Sequence, residues 1–202
     1  MKYKLILAII LTLAFILRFW QLGQNPPGLF VDEASNGYNA YSILKTARDE
    51  YGNFLPLTFR AFGDYNPAFS VYTLVPSIAV FGLNEFAVRL PSALLGSLTV
   101  LVVYLFSKLL FTKSSIVKNK EILALFSAFF LAISPWHIQF SRYDHEANFM
   151  LFFSLLGVTL FLYNFKKPLI LSLAALSFAI ALNTYHGAKV LVPVLVIVLI
   201  IL

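Results

Sequence analysis

The stretch LPSALLGSLTVLVVYLFSKLLF, residues 90–111, decides the fold class, because Lys108 is its only charged residue. A helix needs roughly 20 predominantly apolar residues to cross a bilayer, and this stretch has that length. Further apolar runs occupy residues 5–20, 67–83, 122–140, 149–165, 168–182 and 190–202. The first of these ends in Arg18-Phe19-Trp20 without the small residues of a cleavage site, which favours a retained anchor. The pattern predicts an all-α, polytopic transmembrane helix bundle.

The composition supports this class and excludes others. The chain is 60% hydrophobic and 12% charged, with a mean hydropathy of +0.84. Soluble domains are about 45–50% apolar and about 25% charged. The chain has no cysteine, which excludes disulfides and thiolate metal sites. The net charge of +6 comes from lysines in short loops rather than from a basic stripe with stacking aromatics, so nucleic-acid binding is not expected.

Lysine placement predicts the topology. If residues 67–83 crossed the membrane, the later lysines would face outward, against the positive-inside bias. The run is short and contains Pro76, which suits a half-buried helix. We therefore predict one long external segment over residues 21–89 with juxtamembrane helices, and a cytoplasmic amino terminus. The lysines then on the cytoplasmic side are Lys108, Lys113, Lys118, Lys120, Lys166 and Lys167.

Two adjacent acids, Asp32 and Glu33, follow the rigid segment Asn25-Pro26-Pro27-Gly28 at the outer end of the first run. The chain has only 9 acids among 202 residues, and carboxylates kept beside a bilayer usually serve chemistry or ion binding. Residues 32–48 show helical spacing, so Asp32 would lie near a helix N-terminus. There it could cap the helix, or it could take a proton from an acceptor hydroxyl.

A second acidic cluster, Arg142-Tyr143-Asp144-His145-Glu146, lies on the same predicted side of the membrane. Asp144 either caps the helix that begins near Ala147 or belongs to the site. Arg142 either extends to the interface or binds a phosphate bidentately. His186, in the external connection between the last two runs, either binds phosphate or a metal or terminates a helix.

The order of several short motifs resembles the amino-terminal half of GT-C fold glycosyltransferases. The motifs are Asp32-Glu33, the stretch NEFAVRLPS at residues 84–92, Ser134-Pro135-Trp136, and SRYD at residues 141–144. The nearest likeness is to the protein O-mannosyltransferase and lipid A aminoarabinose transferase group. Asn66 takes the place of a lysine that aminoarabinose transferases carry.

This resemblance implies a catalytic acid at Asp32 and a second acid from the next external loop at Asp144. Related oligosaccharyltransferases hold a divalent metal with acids at these places, so a metal on Asp32 and Asp144 is permitted but not required. The implied donor is a polyprenyl-phosphate sugar.

The sequence thus predicts a single GT-C-like module over residues 1–202, truncated at its carboxyl end because the last run has no polar flank. We expect a multi-pass protein of the inner or plasma membrane. It would move a sugar to an acceptor hydroxyl of a lipid, glycan or protein at the external face.

Asp32 and Glu33 are the predicted catalytic residues. The predicted substrate-binding residues are Arg142, Asp144, Glu146 and His186. The alternatives are a transporter or ion-coupled carrier, and an inactive fragment.

Overall fold

The computed structural model describes residues 2–112 and 119–201, which form nine helices and one β-hairpin. The predicted all-α membrane bundle is confirmed, with the hairpin as an addition. In chain order the elements are α1 (Lys2–Phe19), α2 (Val31–Thr46), β1 (Thr58–Ala61), β2 (Asp64–Pro67), α3 (Ala68–Phe81), α4 (Glu85–Thr112), α5 (Lys120–Ile133), α6 (Pro135–Ser141), α7 (Glu146–Asn164), α8 (Pro168–Leu182) and α9 (Ala188–Ile201).

Two described helices, α4 and α7, are long and apolar enough to cross a membrane, and the bent pair α5 and α6 would make a third if it forms one span. Helices α3, α8 and α9 are apolar but shorter. A helix of 14 residues, such as α9, extends roughly 21 Å, whereas the hydrocarbon core is about 30 Å thick. The crossing of the bilayer by α1, α8 and α9 therefore stays a prediction, as does the orientation. Lys113 and Lys118 lie outside the described residues.

The apolar run at residues 122–140 is not one helix, because the chain bends by 61° between α5 and α6. Pro135 has no N–H group, so the carbonyl of Leu131 has no donor four residues later. Arg18, fully buried at the end of α1, donates to the carbonyls of Leu131 and Ala132 at 3.2 and 3.1 Å. Its guanidinium also lies 2.7 Å from Nδ1 of His137 in α6. Arg18 thus satisfies carbonyl groups that the bend exposes.

The segment between α1 and α4 packs as a unit of its own. Helix α2, predicted over residues 32–48, is observed as Val31–Thr46, and α3 packs against it and against the first turn of α4. The apolar cluster there contains Ile43, Phe59, Leu74 and Val88, all buried. Because α3 shares this cluster with α2, the run at residues 67–83 belongs with the segment that we predict to be external.

Strands β1 and β2 form a hairpin between α2 and α3. β2 pairs antiparallel with β1, in the register Thr58 with Pro67 and Ala61 with Asp64. The two residues between the strands, Phe62 and Gly63, have φ values of 49° and 93°. Two-residue hairpin loops with positive φ at both positions match the right-handed twist of the strands.

Helices α4, α6 and α7 approach one another closely beneath the acidic clusters. A Cβ atom on Gly96 of α4 would lie 2.5 Å from the Ser141 Cβ, so only glycine allows this approach. The Asn148 amide of α7 donates to the carbonyl and hydroxyl oxygens of Ser92 in α4, both at 2.9 Å. These contacts fix the start of α7, and with it the loop at residues 142–145, against α4.

Candidate functional site

The centre of the site is a buried ion pair between Glu33 and Arg89, both fully buried. The Arg89 guanidinium donates to both carboxylate oxygens, through Nε at 2.9 Å and through Nη2 at 3.2 Å. The same carboxylate accepts the backbone N–H of Phe30 at 2.9 Å and that of Asp144 at 3.2 Å. Glu33 is therefore fully engaged and connects α2, α4 and the second acidic cluster.

Arg89 also orders the segment that precedes α2. Its guanidinium donates to the carbonyls of Leu22 at 3.1 Å, of Pro26 at 2.8 Å and of Gly28. The segment at residues 22–28 therefore curves around the side chain of Arg89, which lies in the first turns of α4. Sequence reasoning quoted Arg89 within a motif and gave it no role. The available signal was an arginine at the start of a long apolar run, where an unpaired charge would be costly.

Asp32 lies beside Glu33 but has a different environment. Helix α2 begins at Val31, so Asp32 occupies the second position of its first turn, and its carboxylate makes no hydrogen bond or ion pair within residues 2–112 and 119–201. The side chain that returns to the N-cap backbone N–H is that of Glu33. Glu33 thus has the capping role that was considered for Asp32, and the half-buried Asp32 carboxylate has no partner in the part of the chain that the structure describes.

Two cavities meet beside Asp32. The loop cavity, of about 520 Å³, lies under the segment before α2. The hairpin cavity, of about 410 Å³, lies between the β-hairpin and the start of α9. A larger apolar cavity of about 600 Å³ lies among α7, α8 and α9, away from the acids. The loop cavity is lined by Pro26, Pro27, Gly28, Leu29, Phe30, Asp32, Glu33, Gln139, Tyr143 and His145. The hairpin cavity is lined by Ala61, Phe62, Asp64, Asn66, Pro67, Asp32, His145, Glu146, Tyr185 and His186.

Of the two roles considered for Asp144, capping of α7 is wrong, because His145 caps this helix. The Nδ1 atom of His145 accepts the backbone N–H of Ala147 at 3.0 Å. Sequence reasoning included His145 in the second cluster but assigned it no function. A histidine directly before a helix that starts with an acid was the signal, and the structure adds that this ring lines both cavities.

Asp144 itself is buried beneath the cavities, and burial raises the pKa of its carboxyl group to about 8. The second cause is the nearby Glu146, while a hydrogen bond from the Asn36 amide acts in the opposite direction. That amide donates to Asp144 Oδ2 at 2.9 Å and to Glu146 Oε1 at 3.3 Å. The raised pKa favours the protonated form of Asp144 near neutral pH.

The guanidinium of Arg142 donates to backbone carbonyls rather than facing either cavity. Its partners are Leu17 at 2.9 Å, Trp20 at 2.7 Å and Asn25 at 2.9 Å. Arg142 thus joins the loop after α6 to the end of α1 and to the segment that follows it. Binding of donor phosphate by Arg142 stays a prediction.

Glu146 and His186 lie together in the hairpin cavity with Asp32. The His186 Nε2 atom is 2.9 Å from the carbonyl of Tyr65, so the start of α9 contacts the hairpin there. No group of three or more His, Asp or Glu side chains in the described part of the chain could hold a metal ion. Asp144, one of the two predicted metal ligands, is buried and lines neither cavity. A metal ion on Asp32 and Asp144 stays a prediction.

A protein-family model described as dolichyl-phosphate-mannose-protein mannosyltransferase matches residues 8–202. The chain belongs to this family. The match confirms the resemblance to GT-C mannosyltransferases, and it makes the chain a member of a family of membrane glycosyltransferases. No curated protein and no solved structure matches the chain. Within this mannosyltransferase family member, the roles of individual residues rest on the geometry described above.

Proposed function

We propose that the protein transfers mannose from a polyprenyl-phosphate carrier to an acceptor hydroxyl at the external membrane face, with Asp32 as the general base. The family description supports the donor class and a protein acceptor. The observation that favours Asp32 is its position: it lines both cavities and its carboxylate has no partner among the described residues, whereas the adjacent Glu33 is bound on both oxygens.

In the proposed reaction the acceptor hydroxyl gives its proton to Asp32 while its oxygen attacks the anomeric carbon of the donor sugar. The bond from that carbon to the phosphate oxygen breaks, and the electron pair leaves with the polyprenyl phosphate. General-base assistance of this kind typically contributes 10²–10⁴-fold. The two cavities offer separate spaces for donor and acceptor, with the reacting atoms between them at Asp32.

The remaining residues support this centre in different ways. Glu33 holds the Asp32 turn in place through Arg89, and Arg142 holds the second acidic loop against α1. Glu146 and His186 line the hairpin cavity, where we propose that they contact the acceptor. The Asn36 amide donates to both Asp144 and Glu146, and so holds Glu146 at the wall of that cavity. We propose that Asp144 acts on the substrate only through Asn36 and Glu146.

The test is an Asp32→Asn variant of the full-length protein, assayed with mannosyl polyprenyl phosphate. Asparagine preserves the size of the side chain and cannot take a proton as a carboxylate does. We expect normal membrane insertion and melting, with transfer reduced by at least about 100-fold. Glu85→Gln is the matched control, because Glu85 is also an acid in a first helical turn but lines neither cavity. Transfer by Asp32→Asn at the rate of the control would refute the proposed base.

A further inference from the structure

The loop cavity and the hairpin cavity share only two lining residues among those the structure describes, Asp32 and His145. A side chain that lies between the donor and the acceptor can contact both substrates at the anomeric carbon, where one bond breaks and another forms. The proposed function uses Asp32 on the acceptor side of that bond. His145 is the remaining group at the same junction, and capping accounts for only one of its two ring nitrogens.

The hydrogen bond to the backbone fixes the state of the His145 ring. Because Nδ1 accepts the Ala147 N–H, the proton of the neutral ring is on Nε2, which is then a donor. The ring packs edge to face against Phe140 and Tyr143, with centroid distances of 5.0 and 5.4 Å. These contacts limit rotation of the imidazole, so the donor is preorganised rather than selected on substrate binding.

The proposed reaction needs a group that stabilises the negative charge of the leaving phosphate. Polyprenyl phosphate leaves with negative charge on its oxygens, and such charge is normally stabilised by fixed donors or cations. No lysine or arginine is among the described residues that line either cavity, and Arg142 is engaged with backbone carbonyls. Besides the shared Asp32, the hairpin cavity has Asp64 and Glu146 in its wall, which disfavours a phosphate there. The further acid of the loop cavity, Glu33, is neutralised by Arg89.

We infer that His145 is a second catalytic residue, whose Nε2–H donates a hydrogen bond to the departing phosphate oxygen of the donor, which occupies the loop cavity. This inference rests on the proposed function. As the bond between the anomeric carbon and the phosphate oxygen breaks, the electron pair moves onto that oxygen and the Nε2–H···O bond strengthens. No proton needs to leave the imidazole, because the acceptor proton goes to Asp32.

Two substitutions separate this role from capping. Asparagine has its oxygen near the place of Nδ1 and is a good N-cap, but it has no donor that reaches the place of Nε2. Glutamine has its amide nitrogen near the place of Nε2 but does not cap well. The inference therefore predicts that full-length His145→Asn melts like the wild type and loses about 100- to 1,000-fold in kcat, the usual effect of removing one such donor. His145→Gln should remain within about tenfold of the wild-type kcat, with a lower melting temperature.

The outcomes distinguish failure of this inference from failure of the proposed function. If His145→Asn transfers mannose at the wild-type rate while Asp32→Asn is inactive, His145 is only a cap and the inference is wrong. The reverse order, with His145→Gln slower than His145→Asn, also overturns it. If His145→Asn does not fold, His145→Gln decides by itself, because a kcat loss above 100-fold would contradict the inference. Wild-type transfer by Asp32→Asn would refute the proposed function instead.

Discussion

Replacing Glu33 with glutamine tests the distinction between the two adjacent acids. Glu33→Gln keeps the shape of the side chain but removes its charge, leaving the fully buried Arg89 without a counterion. Two charge-assisted hydrogen bonds from Arg89 are weakened together. Breaking a buried ion pair by removing one partner typically costs about 3–5 kcal/mol. For a chain of this size such a loss corresponds to a fall of roughly 6–20 °C in melting temperature.

The assay is thermal unfolding of the full-length protein in detergent, with Asp32→Asn as the matched control on the neighbouring residue. We expect a large decrease for Glu33→Gln and almost none for Asp32→Asn, because the Asp32 carboxylate has no protein partner in the described chain. A double variant, Glu33→Leu with Arg89→Met, removes both charges and should be less destabilised than the sum of its single changes.

A Glu33→Gln protein that melts with the wild type would refute this reasoning, because it would mean that the Glu33 charge does not hold Arg89. Additive effects in the double variant would also contradict it. Either result would contradict the assignment of a structural role to Glu33 and a catalytic role to Asp32.

Three further predictions concern the surroundings of the site. The pKa of the Asp144 carboxyl group is higher in the folded than in the unfolded protein, so the folded protein binds one more proton over about pH 4–8. The melting temperature should therefore fall as the pH rises through this window. Asp144→Asn should remove much of this dependence of the melting temperature on pH. Gly96→Ala should destabilise the protein by about 1–3 kcal/mol, because the new Cβ atom collides with Ser141. The double variant Gly96→Ala with Ser141→Ala should recover part of this loss, and thermal unfolding measures both changes. In this cysteine-free chain, single cysteines at Asn84 and Lys166 should react with an impermeant reagent from opposite sides of the membrane, and labelling from one side would overturn the topology.

The sequence indicated that the two acidic clusters lie together, but it did not indicate the role of each residue in them. Hydropathy and short motifs placed Asp32 and Asp144 at the ends of apolar runs. Capping could not be apportioned in advance, because Asp, Glu and His beside a helix start all have suitable acceptors. Glu33 serves α2 and His145 serves α7, and this choice depends on backbone geometry that spacing alone does not determine.

The 61° bend between α5 and α6 shows the same limit. Pro135 was visible as a helix breaker, but the stability of a sharp bend depends on which donor reaches the freed carbonyls. That donor is Arg18, more than 110 positions away in the chain. A single sequence without its packing gives no means of joining these two residues.

The sequence by itself determined the membrane class, the helical bundle, the order of its apolar runs and the glycosyltransferase resemblance, because these follow from hydrophobicity, local spacing and short motifs. Only the tertiary structure decided that Arg89 neutralises Glu33, that Arg142 binds carbonyls, and that Asp32 and His145 stand where two cavities meet. Each of these facts depends on side chains distant in sequence, and a buried charge or an open cavity is defined by everything packed around it.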